Sequence, residues 1–172
     1  MIIFSILAFL TLFLSMCIKD RKKSLKAQSI NCLFEALYAL TINAYTGSIL
    51  GFINYIRSSL FIKKDIFTKK IYIMLLLVFE SVIIINCVLT WSGAISLLPT
   101  LGSIIRTFCL WQSKMKYVRF SGIISGLLFG TYYIYYKSWF MVAGYLLLLL
   151  ISLYSFCKTD LKTSIYQTAN RG

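Results

Sequence analysis

The chain has 172 residues, of which 59% are hydrophobic and 13% charged, with a mean hydropathy of +0.81 and a single proline. That composition excludes a soluble domain, whose surface needs many more charges, and defines a membrane protein. The formal net charge is +13, yet the basic residues sit in short connections between apolar runs, a topology signal rather than a nucleic-acid-binding surface.

Uncharged runs cover residues 1–18, 120–136 and 138–157, and two longer runs, 27–56 and 71–105, are broken only by Glu35 and Glu80. Spanning a bilayer takes about 20 residues, so each long run folds as a helical hairpin, with turn signals at "NAYTG" (43–47) and "TWSG" (90–93). The expectation is an all-α, polytopic protein with seven transmembrane helices over 2–18, 27–43, 46–62, 71–89, 94–111, 118–136 and 138–156.

Helix one has no basic segment before its apolar stretch, so it is expected to be retained rather than cleaved, and "LSMC" at 14–17 does not make a lipoprotein site. Lys19, Arg21, Lys22, Lys23 and Lys26 follow it; Lys63, Lys64, Lys69 and Lys70 follow helix three; Lys114, Lys116 and Arg119 follow helix five; Lys158, Lys162 and Arg171 follow helix seven. The intervening turns hold only Lys137. By the positive-inside rule the amino terminus is then outside and the carboxyl terminus cytoplasmic, with Trp91 and Trp139 at the outer interface and Trp111 at the inner one.

On helix two, Gln28, Asn31, Glu35 and Tyr38 recur at i, i+3, i+7 and i+10, one helical stripe that must face protein or water. A carboxylate against acyl chains costs several kcal/mol, so Glu35 is neutral, paired or lining a cavity. Counted from Lys26 at ~1.5 Å per residue it lies roughly 13 Å into the membrane, where it is a candidate for proton coupling. The stripe reads either as an interhelical hydrogen-bond seam or as the wall of a substrate pocket. Helix three puts Gly47, Gly51, Asn54 and Ser58 on one face, a close-packing device in which only Asn54 has a binding role to offer.

Glu80 on helix four is equally deep and reads as half of a structural pair. Helix five carries Pro99, Thr100, Ser103, Arg106 and Thr107, a polar face next to a proline; the proline marks either a gating kink or a plain bend, and Arg106 either snorkels or needs an intramembrane anion, for which depth favours Glu35. Helix six repeats the small-residue device with Gly122, Gly126 and Gly130 beside Tyr132, Tyr133, Tyr135 and Tyr136. Most of these tyrosines fit the outer aromatic belt, while Tyr132 or Tyr133 is placed to cap a pocket. The five cysteines show no C-x-x-C spacing and read as small apolar filler.

Helices 1–3 overlay helices 5–7 at an offset that pairs Leu7 with Leu101, so both basic loops and both uncharged turns superpose. This divides the chain into a first three-helix repeat (1–62), a linker with helix four (63–93), a second repeat (94–157) and a tail (158–172), a parallel-repeat pattern known from SWEET transporters. The segments "LLPTLGSIIRTFCLWQSKMKYVRFSGIISGLLFGTYYIYYKSW" (97–139) and "LYALTINAYTGSILGFINYIR" (37–57) resemble the YgjV family of bacterial inner-membrane proteins. By further similarity that family sits near SWEET, PQ-loop and PnuC-type carriers, and the resemblance implies alternating access in a 3+1+3 bundle. The chain departs from that pattern in having no Pro-Gln pair, and in matching Pro99 with Ser5 and Asn54 with Leu148.

With no histidine, no nucleophile–base pair and no phosphate loop, an enzyme is not expected, nor a metal or cofactor. The expected function is carrier of a small polar solute, such as a sugar or vitamin-like compound. Its pocket would be lined by Gln28, Asn31, Glu35, Asn54, Ser103, Arg106 and Tyr132, with Pro99 as hinge. The alternative is a non-transporting scaffold, sensor or lipid-binding module on the same bundle. The expected partners are the lipid bilayer and the solute, with homo-oligomerisation left open.

Overall fold

A computed structural model describes residues 2–18, 20–63, 67–112 and 115–161. Lys19, Lys64, Lys114 and most of the expected tail, 162–172 with Lys162 and Arg171, lie outside the described residues. Among the described residues there are seven α-helices and no strand: α1 (Ile2–Cys17), α2 (Arg21–Thr41), α3 (Tyr45–Ile62), α4 (Lys69–Leu89), α5 (Leu97–Trp111), α6 (Met115–Tyr135) and α7 (Trp139–Ser155). A 3-10 turn over Ala94–Ser96 precedes α5, and a π-helical turn over Phe156–Leu161 follows α7.

Most boundaries fall within three residues of those read from the apolar runs, because run length alone sets them. The exception is the start of α2, which lies six residues earlier than expected. Asp20 caps it, its carboxylate accepting from the Lys23 amide at 2.8 Å, so the basic stretch after α1 is the first turns of a helix rather than a loop. Pro99 also differs from expectation. It is the third residue of α5, three positions after the 3-10 turn, where proline's fixed φ suits the start of a helix. The proline marks the entrance to α5 rather than a mid-helix kink.

Among the described residues, three stretches are long and apolar enough to cross a membrane, Lys69–Leu89, Ala94–Trp111 and Trp139–Lys158, and Ile3–Ser15 is a shorter apolar helix. α2 packs between α1 and α3, α6 packs between α5 and α7, α3 meets α5, and α7 returns against α1, so six helices close a ring. α4 packs on α3 and α5. Its outward face is apolar and open, with Met74, Leu77, Val88 and Leu89 all well exposed.

Small residues set the closest approaches. A Cβ on Gly51 would lie 2.7 Å from the Ala36 Cβ and 2.9 Å from its Cα, so α2 and α3 touch backbone to backbone only because residue 51 has no side chain. Gly122 and Gly126 do the same between α6 and α7, against Ser152 and Leu149. One apolar core joins α1, α2, α6 and α7 around Ala8, Leu12, Ala39, Phe129 and Met141. A second joins α3, α4 and α5 around Phe61, Phe79, Ile83 and Leu110. Cys32, Cys87 and Cys109 are buried free thiols, and Cys157 is exposed.

Candidate functional site

The ring has two ends. One carries the basic connections after α1, α3 and α5; the other carries the nearly uncharged turns at 42–44, 90–96 and 136–138. Between them the interior is polar, and one set of its side-chain hydrogen bonds joins α2 and α3 to α5, α6 and α7.

Glu35 lies six residues before the turn end of α2, about 9 Å in at ~1.5 Å per residue. It is buried, and its Oε1 accepts from the Tyr145 hydroxyl at 2.5 Å and the Tyr133 hydroxyl at 3.0 Å. Both tyrosines are buried, and their rings stack at 5.7 Å. Tyr38, on the same stripe as Glu35, shares a 2.6 Å hydrogen bond with Ser138. Tyr132 accepts from the Gly47 amide at 3.2 Å, which seats its ring where a Cβ on Gly47 would stand. Tyrosines therefore close the turn end of the ring. Tyr135 is exposed, whereas Tyr132 and Tyr133 have no solvent exposure at all and so do not belong to an outer aromatic belt.

Nearer the basic end, Gln28 meets Arg106. With its carboxamide turned so that oxygen faces the cation, Gln28 accepts from Arg106 Nε at 2.7 Å and from Nη2 as well, an orientation assigned from the hydrogen-bond pattern. Asn31 points the other way and donates to the Ala8 carbonyl at 2.7 Å, an α1–α2 seam contact. The expected direct pair of Arg106 with Glu35 is replaced by these two arrangements: tyrosines hold the carboxylate, an amide holds the guanidinium, and the charges interact through space.

The third group lies between α3 and α5. Asn54 Nδ2 donates to Ser103 Oγ at 3.2 Å, and Arg57 Nη1 donates to Thr107 Oγ1 at 2.6 Å and to the Ser103 carbonyl at 3.4 Å. Arg57 has 0% exposure, and among the described residues its Nε and Nη2 have no partner; Asn54 Oδ1 and Ser58 Oγ are likewise buried and unpartnered there. Sequence reasoning picked out Asn54, Ser103 and the helix-five polar face with Thr107 but missed Arg57 and Tyr145. The signal for Arg57 was its place in the i, i+3, i+4 set 54, 57 and 58 within the expected third helix.

Outside the ring, Leu77, Ile84, Ile104, Phe108 and Phe120 line an apolar groove of about 810 Å³ between α4 and the α5–α6 pair. Its polar members are Glu80, Gln112 and Lys116.

A fold that is all-helical among the described residues, with apolar outer faces and with Glu35 and Arg57 buried inside the ring, has the build of an integral membrane protein. The chain belongs to the bacterial inner membrane protein family Imp-YgjV, which it matches over residues 2–162. No curated protein and no solved structure matches it.

Proposed function

We propose that the chain is a small-solute carrier, with all seven helices spanning the membrane as a 3+1+3 pseudo-repeat that works by alternating access. The observation that carries the reading is where the interior bonds run. Glu35 to Tyr133 and Tyr145, Gln28 to Arg106, Asn54 and Arg57 to α5, Gly47 to Tyr132 and Tyr38 to Ser138 all join helices 1–3 to helices 5–7. Such bonds can exchange partners, so this polar zone can part and re-form, while the apolar contacts of α1 and α2 with α6 and α7 hold the two halves together. The seams also suit a parallel repeat, since α3 against α5 is the counterpart of α7 against α1. Buried ionisable groups at membrane depth are costly, and a scaffold has no need of them.

Untargeted uptake into reconstituted vesicles tests this. Wild-type vesicles should accumulate at least one small polar solute that empty vesicles do not, and Glu35→Gln should alter the rate or its pH dependence while the protein stays folded. Uptake no greater than in empty vesicles, across a broad metabolite mixture, counts against a carrier. A second reading, a lipid-binding module, is favoured by the groove beside α4, whose apolar walls and Lys116 suit an acyl chain with an anionic headgroup.

The orientation follows from the charge pattern, with the basic end cytoplasmic and the amino terminus outside. Ser92 and Thr68 are exposed at opposite ends. In a cysteine-free background, Ser92→Cys should react with an impermeant thiol reagent added to intact cells and Thr68→Cys only after permeabilisation. The reverse pattern inverts the topology.

A further inference from the structure

We infer that the buried face of α3 around Arg57 and Asn54 is a subsite for the carboxylate of a small hydroxy acid. This deepens the carrier reading and rests on it. Three features carry it.

The first is which edge of the guanidinium is open. Arg57 spends Nη1 on Thr107 and Ser103 of α5, so the seam anchors one corner, while Nε and Nη2 are buried without a partner. Those two nitrogens form one side of the planar fork, the side that takes a carboxylate through two parallel bonds. The second is the acceptor beside it. Asn54, one turn earlier on the same face, gives its amide hydrogens to Ser103 and leaves Oδ1 buried and unpartnered. An unpartnered acceptor one helical turn from an unpartnered cationic edge matches a hydroxyl near a carboxylate, and neither a plain sugar nor a cation offers that pair. The chain's own Glu80 is within electrostatic reach of Arg57, yet its Oε2 and the open Arg57 nitrogens are not bonded to each other.

The third is that the ring does not need these groups. At the offset pairing Leu7 with Leu101, Asn54 corresponds to Leu148, Arg57 to Ile151 and Arg106 to Leu12. The counterpart seam of α7 against α1 is thus closed by hydrocarbon, with Leu12 and Leu148 buried. One seam of each kind shows that packing alone does not call for a buried cation, and buried cations without an ion pair are retained where a ligand supplies the anion.

The test is equilibrium binding to the purified full chain in detergent, with three probes of similar size: L-lactate, propanoate without the hydroxyl, and lactamide without the charge. Lactate should bind saturably, propanoate about tenfold more weakly, and lactamide at least a hundredfold more weakly. Asn54→Leu should bring lactate down to the level of propanoate while leaving propanoate unchanged, and Arg57→Met should remove both. If Arg57→Met is not obtained folded, the selective effect of Asn54→Leu decides alone. Equal binding of lactate and lactamide, a response to inorganic phosphate but not lactate, or no saturable binding by wild type overturns the inference. Uptake of other solutes with no lactate binding sinks the subsite and leaves the carrier standing. Lactate binding without uptake does the reverse.

Discussion

Glu35→Leu lowers the thermal midpoint of the detergent-solubilised protein sharply, and Glu35→Gln does so far less. Oε1 of Glu35 is the acceptor for both Tyr133 and Tyr145, and both hydroxyls lie where neither water nor another described acceptor reaches them. Leucine removes that acceptor and strands two phenolic donors, at about 1–3 kcal/mol for each orphaned hydroxyl. Glutamine keeps an oxygen in the same place and removes the cost of a buried carboxylate, so the two effects offset. The coupling is specific. On the Glu35→Leu background, Tyr145→Phe and Tyr133→Phe should restore part of the lost stability, because each removes a donor that no longer has a partner. On the wild-type background the same changes should be destabilising. A double-mutant cycle reads this directly, and additive effects would show that the tyrosines find other acceptors when Glu35 is gone.

That triad also shows what a single sequence does and does not make legible. Seven helices could be counted because apolar run length is a local property, and Glu35 stood out because a lone carboxylate in such a run has few explanations. Its partners did not stand out. Tyr133 and Tyr145 are separated from Glu35 by 98 and 110 residues, and Tyr133 belongs to a tyrosine-rich helix end that looks the same whether the rings face an interface or an interior. Only the register of α6 against α2 decides between them, and register is a tertiary property. The start of α2 was misread for a local reason. Lysines and an arginine after α1 read as a loop, while the N-capping Asp20, a legible signal, was outweighed. Arg57 was passed over although it lies inside the expected third helix, since a lone cation followed by two serines gives no pairing signal of its own. The face it shares with Asn54 and Ser58 gains its meaning only once α3 is known to meet α5. The interior polar groups were therefore sampled correctly by stripe and depth, but their pairing was not, because pairing depends on how the ring closes.

Arg57→Met is expected to raise thermal stability, an unusual direction for a substitution at a fully buried position. The guanidinium is out of water with no ion pair among the described residues and only one nitrogen bonded, so its desolvation is poorly offset. Replacing it leaves nothing stranded on α5: Thr107 Oγ1 still donates to the Ser103 carbonyl at 2.7 Å, and Asn54 still donates to Ser103 Oγ. Methionine has a similar reach and adapts to irregular space, so the cavity penalty is small. By analogy with buried ionic groups exchanged for apolar ones, the gain is roughly 1–4 kcal/mol. Arg57→Lys keeps a charge but loses the flat fork, and should be the less stable of the two variants. A residue that costs stability where it sits is retained for what it does, which is the relation a ligand-binding cation has to its fold. The competing account makes Arg57 a structural partner of Glu80. On that account Arg57→Met is strongly destabilising, Glu80→Gln is destabilising in wild type, and the two effects are non-additive in the double variant. Melting curves for wild type, Arg57→Met, Arg57→Lys, Glu80→Gln and Arg57→Met with Glu80→Gln separate the two accounts. A melting point for Arg57→Met several degrees below wild type, recovered by adding Glu80→Gln, would move the arginine from the solute site to the α3–α4 contact.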